Sequence, residues 1–370
     1  MKPELVLLND FTSQWEDIRE PALKALDRVG GSGWLILGNE VAGFERELAT
    51  FASAEHCIGV ANGMDAIEIS LRALGLKPEQ KVLTTPLSAF ATTLAILRAG
   101  GRPVFVDTDK NGLIDLEIAR ETLSKNPDIR FMVPVHLFGH SVDARKLQSL
   151  KTDFDLLIVE DCAQSIGAYS HGNQVGGVGQ MSATSFYPTK NLGCMGDGGA
   201  IFTNDQQLAD LSKKLRDYGQ SQKYVHAHLG LNSRLDELQA AILRDALLPK
   251  LGSYTEIRRK IAAKYCAEIS NPRIAIVKEP PNSQSVWHLF PVLISEDRES
   301  FQNHLSQKGI SCGVHYPILI TAQPALGSLR QDNSCYPAAH AMTQQEVSLP
   351  IHPYLTETHI GRVIEACNSW

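Results

Sequence analysis

Apolar residues recur along this chain in two rhythms that take turns. Val41, Phe44, Leu48 and Phe51 fall at helical spacing within residues 38–51, and a second helical pattern runs over residues 15–29. Short apolar runs bounded by turn formers predict strands at residues 57–60, 81–85, 103–107, 130–136 and 156–159. Helical patterns separate them over residues 66–74, from the stretch 86–93 onward, and over residues 208–218. This alternation up to Asp217 predicts an α/β architecture, a mostly parallel sheet covered on both faces. Such a sheet collects ligands at the carboxyl ends of its strands. Residues 219–231 read as a polar loop, and Asn232-Ser233-Arg234-Leu235-Asp236-Glu237 is expected to start a long helix. Beyond about Leu247 the pattern shifts, with a strand over residues 286–294 and a helix over 298–308. The expected organisation is a large domain at 1–246 and a smaller C-terminal α+β domain at 247–370.

Composition narrows the class. At 370 residues the chain exceeds what one core usually supports, which also favours two domains. Its 43% hydrophobic and 21% charged residues describe an ordinary soluble globular protein. A formal net charge of −6 gives no basic footprint for nucleic acid, although glycine loops and helix starts can bind phosphate against that balance. The seven cysteines are scattered without a C-x-x-C pair, which argues against zinc or disulfide frameworks and favours a reducing cytoplasm. Met1-Lys2-Pro3-Glu4-Leu5 has no apolar signal region, and no run approaches the ~20 residues of a membrane span, so no membrane association is expected.

Candidate chemistry concentrates between Leu156 and Asn204. An apolar run ends in Glu160-Asp161, and a later run, Ser185-Phe186-Tyr187-Pro188-Thr189, delivers Lys190. An acid at a strand end and a lysine just after a later strand suggest pyridoxal 5'-phosphate (PLP) chemistry. That cofactor needs an amine to condense with its aldehyde and a carboxylate to keep its ring nitrogen protonated. Free lysine titrates at ~10.4, so Lys190 would need burial to act as a nucleophile. Taken singly, an aspartate ending a strand is a turn former or cap, and one lysine among 35 Lys+Arg is a surface residue; the combination shifts the balance. Asn62-Gly63-Met64-Asp65 reads as a turn whose glycine lets backbone N–H groups approach a phosphate. Phe90 reads as core, Gly30-Gly31-Ser32-Gly33-Trp34 as a flexible turn, and Asn232 with Arg234 as a helix cap and its neighbour. His136 and His140 lack a carboxylate or cysteine at ligand spacing, so both read as structural and no metal site is expected.

The runs Glu160-Asp161-Cys162-Ala163-Gln164-Ser165-Ile166-Gly167-Ala168, Ser185 to Gly193 and Gly196-Asp197-Gly198-Gly199-Ala200 together resemble the signature of the DegT/DnrJ/StrS family. Its members are PLP-dependent nucleotide-sugar aminotransferases of the aspartate-aminotransferase fold, and the resemblance covers nearly the whole chain. It implies that Lys190 is the Schiff-base lysine, Asp161 the partner of the ring nitrogen and Gln164 the residue near the ring hydroxyl. It implies a phosphate site from Ser185 and the backbone of Gly63 and Met64, with Phe90 stacked over the ring. Where the family reads Ser-Gly-Thr this chain reads Asn62-Gly63-Met64, which removes a possible hydroxyl contact and leaves the backbone donors. Asn232 would cross to the partner's phosphate, making the active unit a homodimer with shared sites.

For substrate, the resemblance implies Trp34, Tyr187, Tyr218, Lys223, His315 and Tyr316 as contacts and glutamate as amino donor, with pyridoxamine 5'-phosphate formed on the way. Tyr218 and Lys223-Tyr224 resemble members that aminate C3 of a dTDP-3-keto-6-deoxyhexose; members aminating C4 more often carry histidine at the Tyr218 position. Three other readings are weaker. A related dehydratase would place histidine at Lys190, a nicotinamide dehydrogenase would show G-x-G-x-x-G after its first strand, and a non-catalytic sugar-binding relative would not need the Asp161–Lys190 pair.

Overall fold

The computed structural model describes residues 5–370. The reading that no signal region opens the chain falls mostly on residues 1–4, which lie outside the described residues. Among the described residues, no helix is long and apolar enough to cross a membrane.

Seven strands form the central sheet: β1 (His56–Val60), β2 (Lys81–Thr84), β3 (Arg102–Phe105), β4 (Phe131–Met132), β5 (Leu157–Asp161), β6 (Met181–Ser185) and β7 (Gly199–Thr203). Their order is β1-β7-β6-β5-β4-β2-β3. Every pairing from β6 to β3 is parallel, and β7 runs against both its neighbours. Helices cover both faces, so β5 and β7 are buried along nearly their whole length. This is why the strands read as continuous apolar runs rather than as alternations. Asp161 pairs with Ala183 in the middle of β6 and, through a bridge, with Val135 beyond β4.

Several elements begin elsewhere than the sequence pattern suggested, each for a local reason. Residues 62–65 are not a separate turn, because the Asn62 side chain accepts from the Asp65 N–H (2.8 Å) and starts the helix Gly63–Ala73 at the glycine. Residues 86–89 bend before the helix Phe90–Arg98 begins. The polar loop contains a small hairpin, Gln220–Gln222 with Val225–His226, turned by Tyr224 at φ 66°. Asn232 is not a helix cap: it bridges to Asp217, Ser233 N–H donates to Arg216 O (2.9 Å), and the helix opens only at Glu237–Ile242. A π turn at Leu243–Leu247 and a 3-10 turn at Leu248–Lys250, holding Pro249, then divide it from the helix Leu251–Glu268. Of the run 286–294, only Phe290–Ile294 is a strand; Val286 and Leu289 instead donate to Gly139 O (3.1 Å) and Phe138 O (3.2 Å).

A second sheet orders Ile274–Ile276, Phe290–Ile294 and Glu346–Leu349. Its core gathers Tyr265, Phe290, Val292, Phe301, Val347 and Val363, and it also takes Val6 from the other end of the chain. Val6 is fixed there by bonds from its N–H to Gly309 O (2.9 Å) and from Ser311 N–H to its carbonyl (2.8 Å). In the opposite direction, Leu319, Ile320, Tyr336, Ala339 and Met342 pack into the core around Leu83 and Phe138. Asp107, beyond β3, accepts from the N–H groups of Ala338 (3.0 Å) and Ala339 (2.9 Å) and so caps the helix Pro337–Gln345.

One buried carboxylate ties the amino-terminal helices to the middle of the chain. Glu237 accepts from the N–H groups of Gly38 (2.8 Å), Glu40 (2.9 Å) and Val41 (2.9 Å), the open start of the helix Asn39–Phe51. A Cβ on Gly38 would lie 2.5 Å from the Trp34 ring and 2.8 Å from Glu237 Oε2, so any larger residue must displace the indole or the carboxylate. Glu237→Ala would strand three N–H groups beneath that packing; we expect a loss of roughly 2–3 kcal/mol, read as a lower urea midpoint.

Candidate active site

β5 presents Asp161 at its carboxyl end, where the side chain is almost wholly buried. Its Oδ2 accepts from Thr92 Oγ1 (2.7 Å) and its Oδ1 from Ala163 N–H (3.1 Å). Thr92 sits in the first turn of the helix that Phe90 opens, so the same turn that places the phenyl ring fixes the carboxylate.

β6 ends at Ser185, and the chain then folds back on itself. Phe186 N–H donates to Gly198 O (2.7 Å), Lys190 N–H to Tyr187 O (2.8 Å) and Cys194 N–H to Phe186 O (2.8 Å). This pinned turn turns Lys190 into the protein, where burial pushes its ammonium down to about 8 while the Asp161 charge pulls the other way. The charge of Lys190 is felt in turn by two histidines. Burial, then Lys190, hold His315 down at about 4. His288 lies well below its ordinary value through burial, then Lys190, Arg258 and His315. Lys190 therefore has one carboxylate and two neutral imidazoles for company.

Gln164 links the far wall. Its Oε1 accepts from Phe138 N–H (2.6 Å) and its Nε2 donates to the Tyr316 hydroxyl (3.2 Å). Burial, then the Asp161 charge, push the Tyr316 phenol up to about 12, so it stays protonated.

Glycine contacts bring a helix start to the same place. A Cβ on Gly63 would lie 2.7 Å from Ser185 Cβ, and one on Gly199 would lie 2.4 Å from Asn62 C and 2.7 Å from Gly63 N. The first N–H groups of the helix Gly63–Ala73, unpaired within it and at its positive end, thus abut the Ser185 hydroxyl. A phosphate fits this cradle, a protonated ring nitrogen fits Asp161, and an aldehyde fits an amine that roughly one time in ten is neutral at pH 7.

Asp161, Lys190, Gln164, Ser185, Gly63, Met64, Phe90, His315 and Tyr316 are all held on elements that converge at these strand ends. The remaining expected contacts lie on the surface of the single chain. Trp34 is 63% exposed, with its Nε1–H donating to Ile36 O (2.7 Å), and Tyr187 is 53% exposed. Tyr218 lies under the Arg234 guanidinium (5.1 Å to the ring centroid), which bonds Asp217 (2.8 Å). Lys223 lies over the Tyr224 ring (5.4 Å), and Asn232 is exposed.

Thr92 and His288 escape sequence reasoning. His288 lay within an expected strand, yet its Nδ1 is 3.2 Å from Asn191 Oδ1, beside the lysine turn. The two histidines read as structural have protein partners: His136 lies between Glu160 (3.0 Å) and Val142 N–H (3.0 Å), and His140 against Ser285 Oγ (3.0 Å).

A readily deprotonated amine, an opposed carboxylate and a helix-start cradle on this fold define a PLP-dependent aminotransferase. Residues 16–368 match the DegT/DnrJ/EryC1/StrS aminotransferase family, and the chain belongs to it. It is 38% identical over 363 residues to the dTDP-3-amino-3,4,6-trideoxy-alpha-D-glucose transaminase of Streptomyces venezuelae, covering 98% of this chain and 95% of that one. It is 41% identical over 349 residues to the dTDP-3-amino-3,6-dideoxy-alpha-D-galactopyranose transaminase of Aneurinibacillus thermoaerophilus, covering 94% of each. Its fold matches the crystal structure of S. venezuelae DesV in complex with a ketimine intermediate, with a TM-score of 0.95 at 38% identity over 100% of this chain and 98% of that one.

Two outcomes follow from this geometry. Gly63→Ala should weaken PLP binding at least about tenfold in an absorbance titration, because the added methyl meets Ser185. Covalent uptake of PLP by the apoprotein should accelerate as pH rises through about 8 and level off above it, since the neutral form of Lys190 is the reactive one.

Proposed function

We propose that the protein transfers an amino group from L-glutamate to C3 of a dTDP-linked 3-keto-6-deoxyhexose. The opposition of Lys190 and Asp161 carries the reading of the chemistry. The names of the two relatives, both acting on 3-amino dTDP-sugars, support the carbon and the nucleotide. Tyr218 and Lys223-Tyr224 fit the same subgroup.

PLP supplies the electron sink that lets a proton leave and rejoin the carbon beside the migrating nitrogen. Asp161, braced by Thr92 and Ala163 N–H, would hold the ring nitrogen in its protonated form. Gln164 would lie near the ring hydroxyl and Phe90 against the ring, and Ser185 with the backbone of Gly63 and Met64 would hold the phosphate. Lys190 Nζ takes the proton from the donor's α-carbon and later delivers one to the sugar carbon. Tyr316 and His315 meet the sugar, while Trp34, Tyr187, Tyr218 and Lys223 form the rim.

The working unit in this proposal is a homodimer in the cytoplasm, with residues 1–246 as the cofactor-binding part and 247–370 as the smaller part. The exposed apolar surface at Trp34, Leu35, Ile36, Tyr187, Met195 and Leu229 supports an interface. Asn232, exposed in one chain, would serve the partner's phosphate.

Pure protein given glutamate and a panel of 3-keto and 4-keto dTDP- and UDP-sugars should aminate C3 of the dTDP compound, with the new C–N bond located by NMR. Amination confined to C4 would overturn the regiochemistry. Lys190→Ala should abolish turnover and end borohydride trapping of cofactor on the chain; full activity in that variant would overturn the chemistry.

A further inference from the structure

His315, which meets the sugar in the proposed reaction and feels the charge of Lys190, heads a hydrogen-bonded file through Ser348 to Glu346, two side chains to which amino transfer gives no role. Glu346 opens the strand Glu346–Leu349 with no solvent exposure. Its Oε2 accepts from His315 N–H (2.5 Å), and its Oε1 lies 2.5 Å from Ser348 Oγ. Ser348 Oγ lies in turn 2.9 Å from His315 Nδ1. The other ring nitrogen, Nε2, makes no hydrogen bond with a described residue, and the ring is only partly buried.

Because Oε2 already accepts, a proton on Glu346 sits on Oε1, facing Ser348. Ser348 then accepts from Glu346 and donates to Nδ1, which leaves the single ring proton on Nε2. Loss of one proton reverses the file. The Glu346 proton passes to Ser348, the Ser348 proton passes to Nδ1, and the proton on Nε2 leaves for solvent. One proton is released in total, the carboxyl becomes a carboxylate, and Nε2 changes from donor to acceptor.

We propose that Glu346, acting through Ser348, is a positioning residue that sets which nitrogen of His315 carries the ring proton, and hence whether the imidazole offers the substrate cleft a donor or an acceptor. The inference rests on the reading of the Lys190 cleft as the site of amino transfer, and the ligand it serves is an oxygen of the nucleotide-linked sugar. The surroundings set the working range. Burial pushes the Glu346 carboxyl up to about 8, against the bonds from Ser348 and His315 N–H and the charge of Arg298. Arg298 itself bonds Thr343 O rather than Glu346. Cys312 and Tyr316 are the other titratable groups facing Glu346, both pushed up by burial first, Tyr316 to about 12. His315 faces Lys190 and His288 and stays uncharged well above its value of about 4, so the change is one of tautomer and not of charge. Near neutrality Glu346 is protonated and His315 donates from Nε2.

The test is NMR of holoenzyme carrying 15N-histidine, with the His315 signals assigned by their loss in His315→Gln. Between pH 6 and 9.5 the wild type should exchange its Nδ1 and Nε2 shifts with a midpoint near 8. Glu346→Gln should hold one tautomer throughout, and kcat/KM for the keto-sugar should lose the corresponding alkaline limb. Ser348→Ala, which severs the file without touching the carboxyl, should also abolish the exchange and serves if Glu346→Gln does not fold. A wild-type ring with no exchange, or an exchange that survives in both variants, overturns the proposal. Borohydride trapping in the same samples separates the two ideas: its loss in the wild type would sink the transaminase reading, whereas the histidine shifts alone decide the file.

Discussion

The structure depends on keeping an amine where its charge is disfavoured. Lys190 is drawn in by a turn tied to β6 and the glycines at 198 and 199, and burial lowers its proton affinity. Asp161 opposes that shift from the end of β5, and the register of β5 with β6 fixes the separation of the two. The sheet is therefore a ruler: its parallel strands end together, and side chains from different stretches of sequence meet at that edge.

Secondary supports make the opposition stable. Thr92 and the Ala163 N–H hold the carboxylate, and Gln164 braces Tyr316 behind it. Glu160, the residue before Asp161, points to the other side of the strand and accepts from Val178 (2.8 Å) and Gly179 (2.7 Å) N–H groups and the His136 ring (3.0 Å). Two adjacent acids thus divide the work, one facing the cleft and one anchoring the glycine-rich segment, as alternation along a strand requires.

Much of this was legible in the sequence, because catalysis by a cofactor of this kind demands particular residue types at strand ends. Asp161 and Lys190 could be picked out, and the alternation of strands and helices gave the sheet. What could not be read were features created by tertiary contact. Asn232 looks like a cap but pairs with Asp217; Trp287, at φ 45°, breaks an apolar run that otherwise spells a strand. The hairpin at 220–226 is exposed on both faces, so no apolar alternation marks it. Thr92, His288 and Glu346 carry no local signal, since their partners lie far along the chain.

The crossing of residues 319–342 into the first core bears on synthesis. Until the ribosome has made the helix that Asp107 caps, the core around Leu83 and Phe138 lacks Leu319, Ile320, Tyr336, Ala339 and Met342. The emerging sheet must wait with a greasy flank open to solvent, a natural holding place for chaperones, and that core closes only when the helix Pro337–Gln345 arrives.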